Sequence, residues 1–222
     1  MTLKLTTTAD GSHSLLNETL NEQYHSRHGA IQESLHVFID AAWRQSTQSE
    51  PAILEYGFGT GLNALLTAVE AEKDGKKVHY TSLENTVLNE EIWSALNYAE
   101  MLEHPEASQL YTAIHRAAWN EWVDITPYFS LYKCKTTFED YIPEAKAFDL
   151  IYFDAFAPAY HPTAWQESVL QKCYNALKIG GIWVSYCAQG AVRRCLIQVG
   201  FTVEKIPGPP GKRQMLRGRV ER

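Results

Sequence analysis

The residues of this chain best suited to chemistry are a run of glycines and three carboxylates. The run reads Glu55-Tyr56-Gly57-Phe58-Gly59-Thr60-Gly61. It follows a short apolar stretch, Ile53-Leu54, and leads into helical spacing from Leu62. Glycines between a strand and a helix let the backbone turn sharply and let a ligand come close. Two ligand classes use such a turn. A dinucleotide site wants G-x-G-x-x-G/A, its third small residue packing helix on strand. Here that third position is Leu62, and the spacing is G-x-G-x-G with an acid two residues ahead. A carboxylate there can pair with the ammonium of an amino-acid-like ligand. S-adenosylmethionine has such an end and no phosphate.

The second carboxylate, Glu84, closes an apolar run from Val78. At a strand end it can accept both hydroxyls of a ribose, which fits an adenosine ligand of either class. The third, Asp154, follows the buried-strand pattern Phe148–Phe153 and opens Asp154-Ala155-Phe156-Ala157-Pro158. A parallel strand ending in an acid puts a carboxylate at the ligand edge of a sheet. Such a group orients the N–H bonds of an amine and stabilises the positive charge that develops on its nitrogen. Pro158 fixes an extended turn, while Phe156, Tyr160 and Trp165 offer faces for stacking on a planar base.

These residues need a scaffold, and the pattern supplies one. Leu3 and Leu5 alternate with polar residues, Asp10-Gly11 offers a turn, and Leu15-Leu16 returns, which reads as a hairpin. Helical spacing runs from Gly29 to Trp43, and Ser46–Pro51 reads as a linker. Strands are expected at 53–56, 78–84, 131–136, 148–153, 182–187, 201–206 and 214–220. Helices are expected at 62–73, 89–102, 111–118, 163–177 and 191–199. Alternation of this kind implies an α/β fold with a mostly parallel sheet. The last two strands are joined by too few residues for a parallel crossover, so the final strand should run antiparallel.

With 222 residues and 45 % hydrophobic content, one α/β domain with a short extension is expected. The formal charge of -6 gives no global attraction for a polyanion, so a nucleic-acid partner would need a local basic patch. Basic residues do cluster late, at Arg193, Arg194, Lys205, Lys212, Arg213, Arg217, Arg219 and Arg222. Arg193 is a candidate phosphate contact, as are Lys212 and Arg213 in a glycine- and proline-rich loop. The four cysteines show no C-x-x-C spacing, and His25 and His28 have no matching ligand set, so no metal is expected. No stretch has the length of a membrane helix or signal peptide, and the expected location is the cytoplasm.

Four stretches together resemble the family of tRNA 5-aminomethyl-2-thiouridine methyltransferases. They are Glu55–Asn63; Asp154–Pro158 with Pro162 and Trp165; Gly190–Arg194 with Gly200-Phe201; and Gly211–Gly218. The family includes the methyltransferase half of the bifunctional enzyme that makes 5-methylaminomethyl-2-thiouridine, and stand-alone versions of that half. The likeness runs from about Tyr24 to Gly218. It implies a class I (Rossmann-like) methyltransferase fold over residues 51–222, forming one structural unit with a hairpin-and-helix extension over 1–50. It implies S-adenosylmethionine as methyl donor and the aminomethyl group of a wobble uridine in tRNA as acceptor. Asp154 is then the active-site acid. Glu55, Gly57, Gly59, Gly61 and Glu84 are donor-binding positions, joined by Tyr24 and by Thr60 and Asn63 of the same stretch. Phe156, Pro158, Trp165, Arg193, Lys212 and Arg213 are candidates for the tRNA side. Many methyltransferases place an acid after the third strand, near the adenine amino group. Here either Thr137 takes that place, or Glu139 or Asp140 serves from a shifted register. The bifunctional relatives carry an oxidase after the methyltransferase, so a separate enzyme is expected to supply the aminomethyl group. The rival reading is a methyltransferase of the same fold acting on a small-molecule or protein amine.

Overall fold

A computed structural model describes residues 2–221, so Arg222 lies outside the described residues. Strands β1 (Leu3–Thr7) and β2 (His13–Asn17) form the expected hairpin, and β3 (Glu22–Gln23) adds a third antiparallel strand. The helical stretch that follows begins as α1 (Ala30–Ser34), widens into a π-helical turn at Leu35–Asp40, and ends as a 3-10 turn at Trp43–Gln45.

The main sheet has eight strands. In chain order they are β4 (Ala52–Tyr56), β5 (Val78–Glu84), β6 (Trp122–Thr126), β7 (Phe129–Lys135), β8 (Phe148–Phe153), β9 (Leu177–Ser185), β10 (Thr202–Pro207) and β11 (Gln214–Arg219). Their spatial order is β10-β11-β9-β8-β4-β5-β7-β6. The five central strands run parallel. Strand β11 is antiparallel to both β9 and β10, as the short connection requires. An antiparallel edge strand, β6, stands at the far side and was not expected from the sequence.

Helices α2 (Leu62–Asp74) and α5 (Ala107–Arg116) cover one face of the sheet, and α6 (Glu167–Ala176) and α7 (Gly190–Val199) the other. Each face has its own apolar cluster. Residues of the N-terminal segment, including Leu15, Val37, Phe38 and Trp43, share one cluster with α2 and α5. The segment before Pro51 is therefore packed into the same core as α2 and α5.

Two predicted helices differ from expectation for physical reasons. The stretch 89–102 breaks into α3 (Glu90–Trp93) and α4 (Tyr98–Met101). Between them Asn97 accepts the His13 amide at 2.7 Å and donates to the Gly11 carbonyl at 3.0 Å. Docking of the hairpin thus takes the place of a helical turn. The helix expected over 163–177 begins as a 3-10 turn at Pro162–Trp165 and ends at Ala176. The Gly180-Gly181 pair lies inside β9, where Gly180 N–H donates to the Val220 carbonyl at 2.7 Å and the Val220 N–H donates to Gly181 at 3.2 Å. No helix among the described residues is long and apolar enough to cross a membrane.

Candidate active site

The carboxyl ends of β4, β5, β8 and β9 meet at one edge of the sheet, where ligands of open α/β folds bind. A cavity of about 700 Å³ opens there. The N-terminal segment from Leu16 to Arg27 forms part of its wall, opposite the glycine turn and Asp154.

The glycine turn needs its glycines. Gly57 has φ +102°, and a Cβ there would stand 2.6 Å from the Asp154 carbonyl oxygen. Gly61 is left-handed at φ +73°, and a Cβ there would meet His115 Nε2 at 2.8 Å. The turn is anchored by the Gly57 and Phe58 N–H groups, which donate to the Leu83 carbonyl at 3.1 and 3.0 Å. Gly57, Gly59, Thr60 and Asn63 all line the cavity; Gly61 lies behind it, closing the turn as the N-cap of α2.

Asp154, the first residue after β8, is held by its N–H to the Tyr56 carbonyl at 2.9 Å. Its Oδ2 accepts from Asn63 Nδ2 at 2.8 Å. Burial raises its carboxyl to about 7, an effect that the Asn63 hydrogen bond opposes. Glu84 ends β5 and also faces the cavity. One oxygen accepts the Gly59 N–H at 2.9 Å, and the other accepts those of Asn85 and Thr86 at 2.9 and 2.8 Å. Burial raises its pKa despite these bonds.

Glu55 stands elsewhere. It lies within β4 rather than after it, is completely buried, and does not reach the cavity wall. Its Oε2 accepts from Ser82 Oγ at 2.5 Å, and burial pushes its carboxyl up to about 8. Its other oxygen, Oε1, is buried without a hydrogen-bond partner.

Tyr24 lines the cavity and meets Phe156 edge to face at 5.1 Å. Phe156 lines it too, as do Tyr160 and Lys212. The Lys212 ammonium is engaged by Glu33 at 2.5 Å and sits 3.9 Å above the Tyr186 ring. Pro158, Trp165, Arg193 and Arg213 are off the cavity wall. Trp165 is buried against Phe153 and donates from Nε1 to the Phe156 carbonyl at 2.8 Å, so it holds the loop rather than facing a substrate. Arg213 is exposed on the loop beside Lys212.

The stretch expected to carry the adenine-side acid forms a closed turn. Thr137 Oγ1 donates to Asp140 at 2.7 Å, and none of Thr137, Glu139 and Asp140 lines the cavity. Phe138 and His161 line it instead, their rings 5.4 Å apart. Sequence reasoning passed over both, and also Arg27, an exposed cavity-wall cation. An aromatic at Phe138 carries no periodic signal that separates a cavity wall from a core.

The sequence pattern of S-adenosyl-L-methionine-dependent methyltransferases matches residues 107–221, more than half of the chain. The chain belongs to that family. Within it, the bifunctional protein MnmC of tRNA 5-methylaminomethyl-2-thiouridine biosynthesis from Leptospira borgpetersenii is 32 % identical over 92 % of this chain and 33 % of its own length. The protein of the same name from Aromatoleum aromaticum is 31 % identical over 88 % of this chain and 32 % of its own. The chain thus spans about a third of the length of these relatives. The crystal structure of MnmC2 from Aquifex aeolicus superposes with a TM-score of 0.83 at 26 % identity, covering 99 % of this chain and 70 % of that one. Spermidine synthase from Thermotoga maritima, at 13 % identity and a TM-score of 0.53, shares the fold.

The methyl donor of this family is S-adenosylmethionine, and the cavity suits it. Thr60 Oγ1 and Asn63 Oδ1, on two wall residues, are buried polar atoms without a hydrogen-bond partner. The glycine cradle leaves room that any side chain at Gly57 would fill. Asp154 and Glu84 offer acceptors to a cationic, hydroxyl-bearing ligand. Among the described residues no group of three or more His, Cys, Asp or Glu side chains is placed to hold a metal ion.

Proposed function

We propose that this methyltransferase acts on the amine of a 5-aminomethyl-uridine, with or without 2-thio, at the wobble position of tRNA. The observation that carries the reading is Asp154 at the cavity floor, 2.8 Å from Asn63 Nδ2 and beside the glycine cradle. The relatives in tRNA 5-methylaminomethyl-2-thiouridine biosynthesis support the acceptor. The donor, when bound, supplies an electrophilic methyl on a sulfonium.

The protein's own part is alignment and charge stabilisation. Gly57, Gly59, Thr60 and Asn63 would hold the donor, and Glu84 would accept its ribose hydroxyls. Asp154 accepts an N–H of the acceptor amine and turns its lone pair toward the methyl. The carboxylate would stabilise the positive charge that develops on that nitrogen as it takes the methyl. The amine proton then passes to Asp154, whose raised pKa suits a base near neutral pH. Tyr24 and Phe156 cover the reacting atoms. Tyr160, 41 % exposed at the cavity, stacks on the extruded base. Another active site installs the aminomethyl group, and the reaction takes place in the cytoplasm.

The test is transfer of radiolabelled methyl from S-adenosylmethionine to tRNA from cells lacking this modification, followed by nucleoside analysis. Label in 5-methylaminomethyl-uridine or its 2-thio form is the expected result. Donor binding with no label in tRNA would overturn the acceptor and point to a small-molecule or protein amine.

A further inference from the structure

Behind the glycine turn, on the side away from the cavity, stands a buried cation with no acidic partner. Lys133 on β7 is 1 % exposed, and no salt bridge includes it among the described residues. Its Nζ donates to the His115 carbonyl at 2.7 Å. It also lies over two rings, Trp119 at 4.8 Å and Phe58 at 5.3 Å. Burial brings its pKa down to about 8. Taking a lysine charge out of water is costly, and an apolar residue would fill the same space at less cost. Its three contacts have one direction in common.

The His115 carbonyl belongs to the last turn of α5, where carbonyls lack helical partners and favour a cation. The same helix reaches the glycine turn with two side chains. Tyr111 Oη donates to the Thr60 carbonyl at 2.8 Å, and His115 Nε2 lies 3.0 Å from that oxygen. Burial lowers His115 to about 4, so its ring is neutral at pH 7, and with the proton on Nε2 it is a donor to Thr60. The His115 ring is fixed by stacking on Trp93 at 4.5 Å and 9°. Phe58, the other ring under Lys133, is itself part of the turn and of the cavity wall.

We propose that Lys133 is a positioning residue for the methyl donor: by capping α5 and seating Phe58, it sets the turn from Gly57 to Gly61 in its donor-binding shape. The proposal rests on the reading of that turn as the donor cradle. Lys133 touches neither donor nor acceptor, so it acts on donor affinity and not on the transfer step.

The test is donor affinity in Lys133→Met, measured by calorimetry with S-adenosylmethionine and with S-adenosylhomocysteine. It is paired with the melting temperature and with kcat at saturating donor. Loss of one charge-assisted hydrogen bond should weaken both ligands about tenfold. The rate at saturating donor should change less than about threefold. Val169→Ala in the other apolar cluster serves as a comparably destabilised control, and should bind the donor as the unaltered chain does. Equal affinity in a folded Lys133→Met protein overturns the proposal. So does equal weakening in Val169→Ala. If Lys133→Met does not fold, Tyr111→Phe decides, since it deletes only the bond to Thr60: about fivefold weaker binding supports the brace, and no change overturns it. Failure of the unaltered chain to bind either ligand would instead sink the donor-cradle reading itself.

Discussion

At the scale of residues, the site keeps acids where ionisation is costly. Asp154 is raised to about 7 and Glu55 to about 8, both chiefly by burial. The folded chain therefore holds protons between about pH 4 and 8 that the unfolded chain has released. A raised carboxyl pKa makes stability fall as pH climbs through that window. Asp154→Asn removes one such group while leaving an acceptor for Asn63. The variant should gain about 2 kcal/mol over the unaltered chain at pH 8 and nothing at pH 4, in denaturant titrations at the two pH values. Its methyl transfer should fall by about a hundredfold or more. A variant with no gain over the unaltered chain at pH 8 would mean that the Asp154 carboxyl is not raised by its surroundings. The residue scale is also where sequence reading was both sharpest and most limited. Glu84 and Asp154 were legible because each terminates an apolar run, and a strand-end acid has one edge to face. Glu55 sits one residue inside β4, behind the cavity wall, with Ser82 on one oxygen and no partner on the other, a placement the sequence pattern does not distinguish from a strand-end acid.

Among the elements, the parallel core was legible because buried strands and amphipathic helices have distinct periods. What escaped was decided by tertiary contact. The break between α3 and α4 exists because Asn97 docks the hairpin, and β6 exists because β7 has an edge to pair. The cavity wall contributed by the N-terminal segment was foreshadowed only by Tyr24, since loop residues show no period. The turn between β4 and α2 makes an element-scale prediction. Gly57→Ala must relieve both a positive φ and a 2.6 Å approach to the Asp154 carbonyl oxygen. That backbone atom is the first after β8 and cannot yield cheaply. The variant should lose about 2–4 kcal/mol of stability and bind the donor at least tenfold more weakly. Thermal melts with and without S-adenosylhomocysteine measure both; a ligand-induced rise equal to that of the unaltered chain would show that the cradle tolerates a side chain.

For the whole molecule, the N-terminal segment and the methyltransferase fold share one apolar cluster, and we propose that residues 1–50 and 51–222 unfold as one unit. The same closeness bears on how an acidic protein meets a polyanion. A net charge of -6 repels RNA at long range, so attraction must come from cations left free near the cavity. Lys212 is not one of them, because Glu33 holds it. Arg27 and Arg213 are exposed and without an ion pair among the described residues, and they stand on two loops in contact, where His28 packs against Gly211. The expected outcome is an apparent tRNA affinity that falls steeply with added salt, while donor affinity hardly changes. Arg27→Ala and Arg213→Ala should each reduce the log–log salt slope by about one, the share of a single phosphate contact. Filter binding across a salt series at fixed donor concentration measures it. A slope unchanged in both variants would move the RNA-facing surface to another side of the molecule, with α7 and its exposed Arg194 the next place to look.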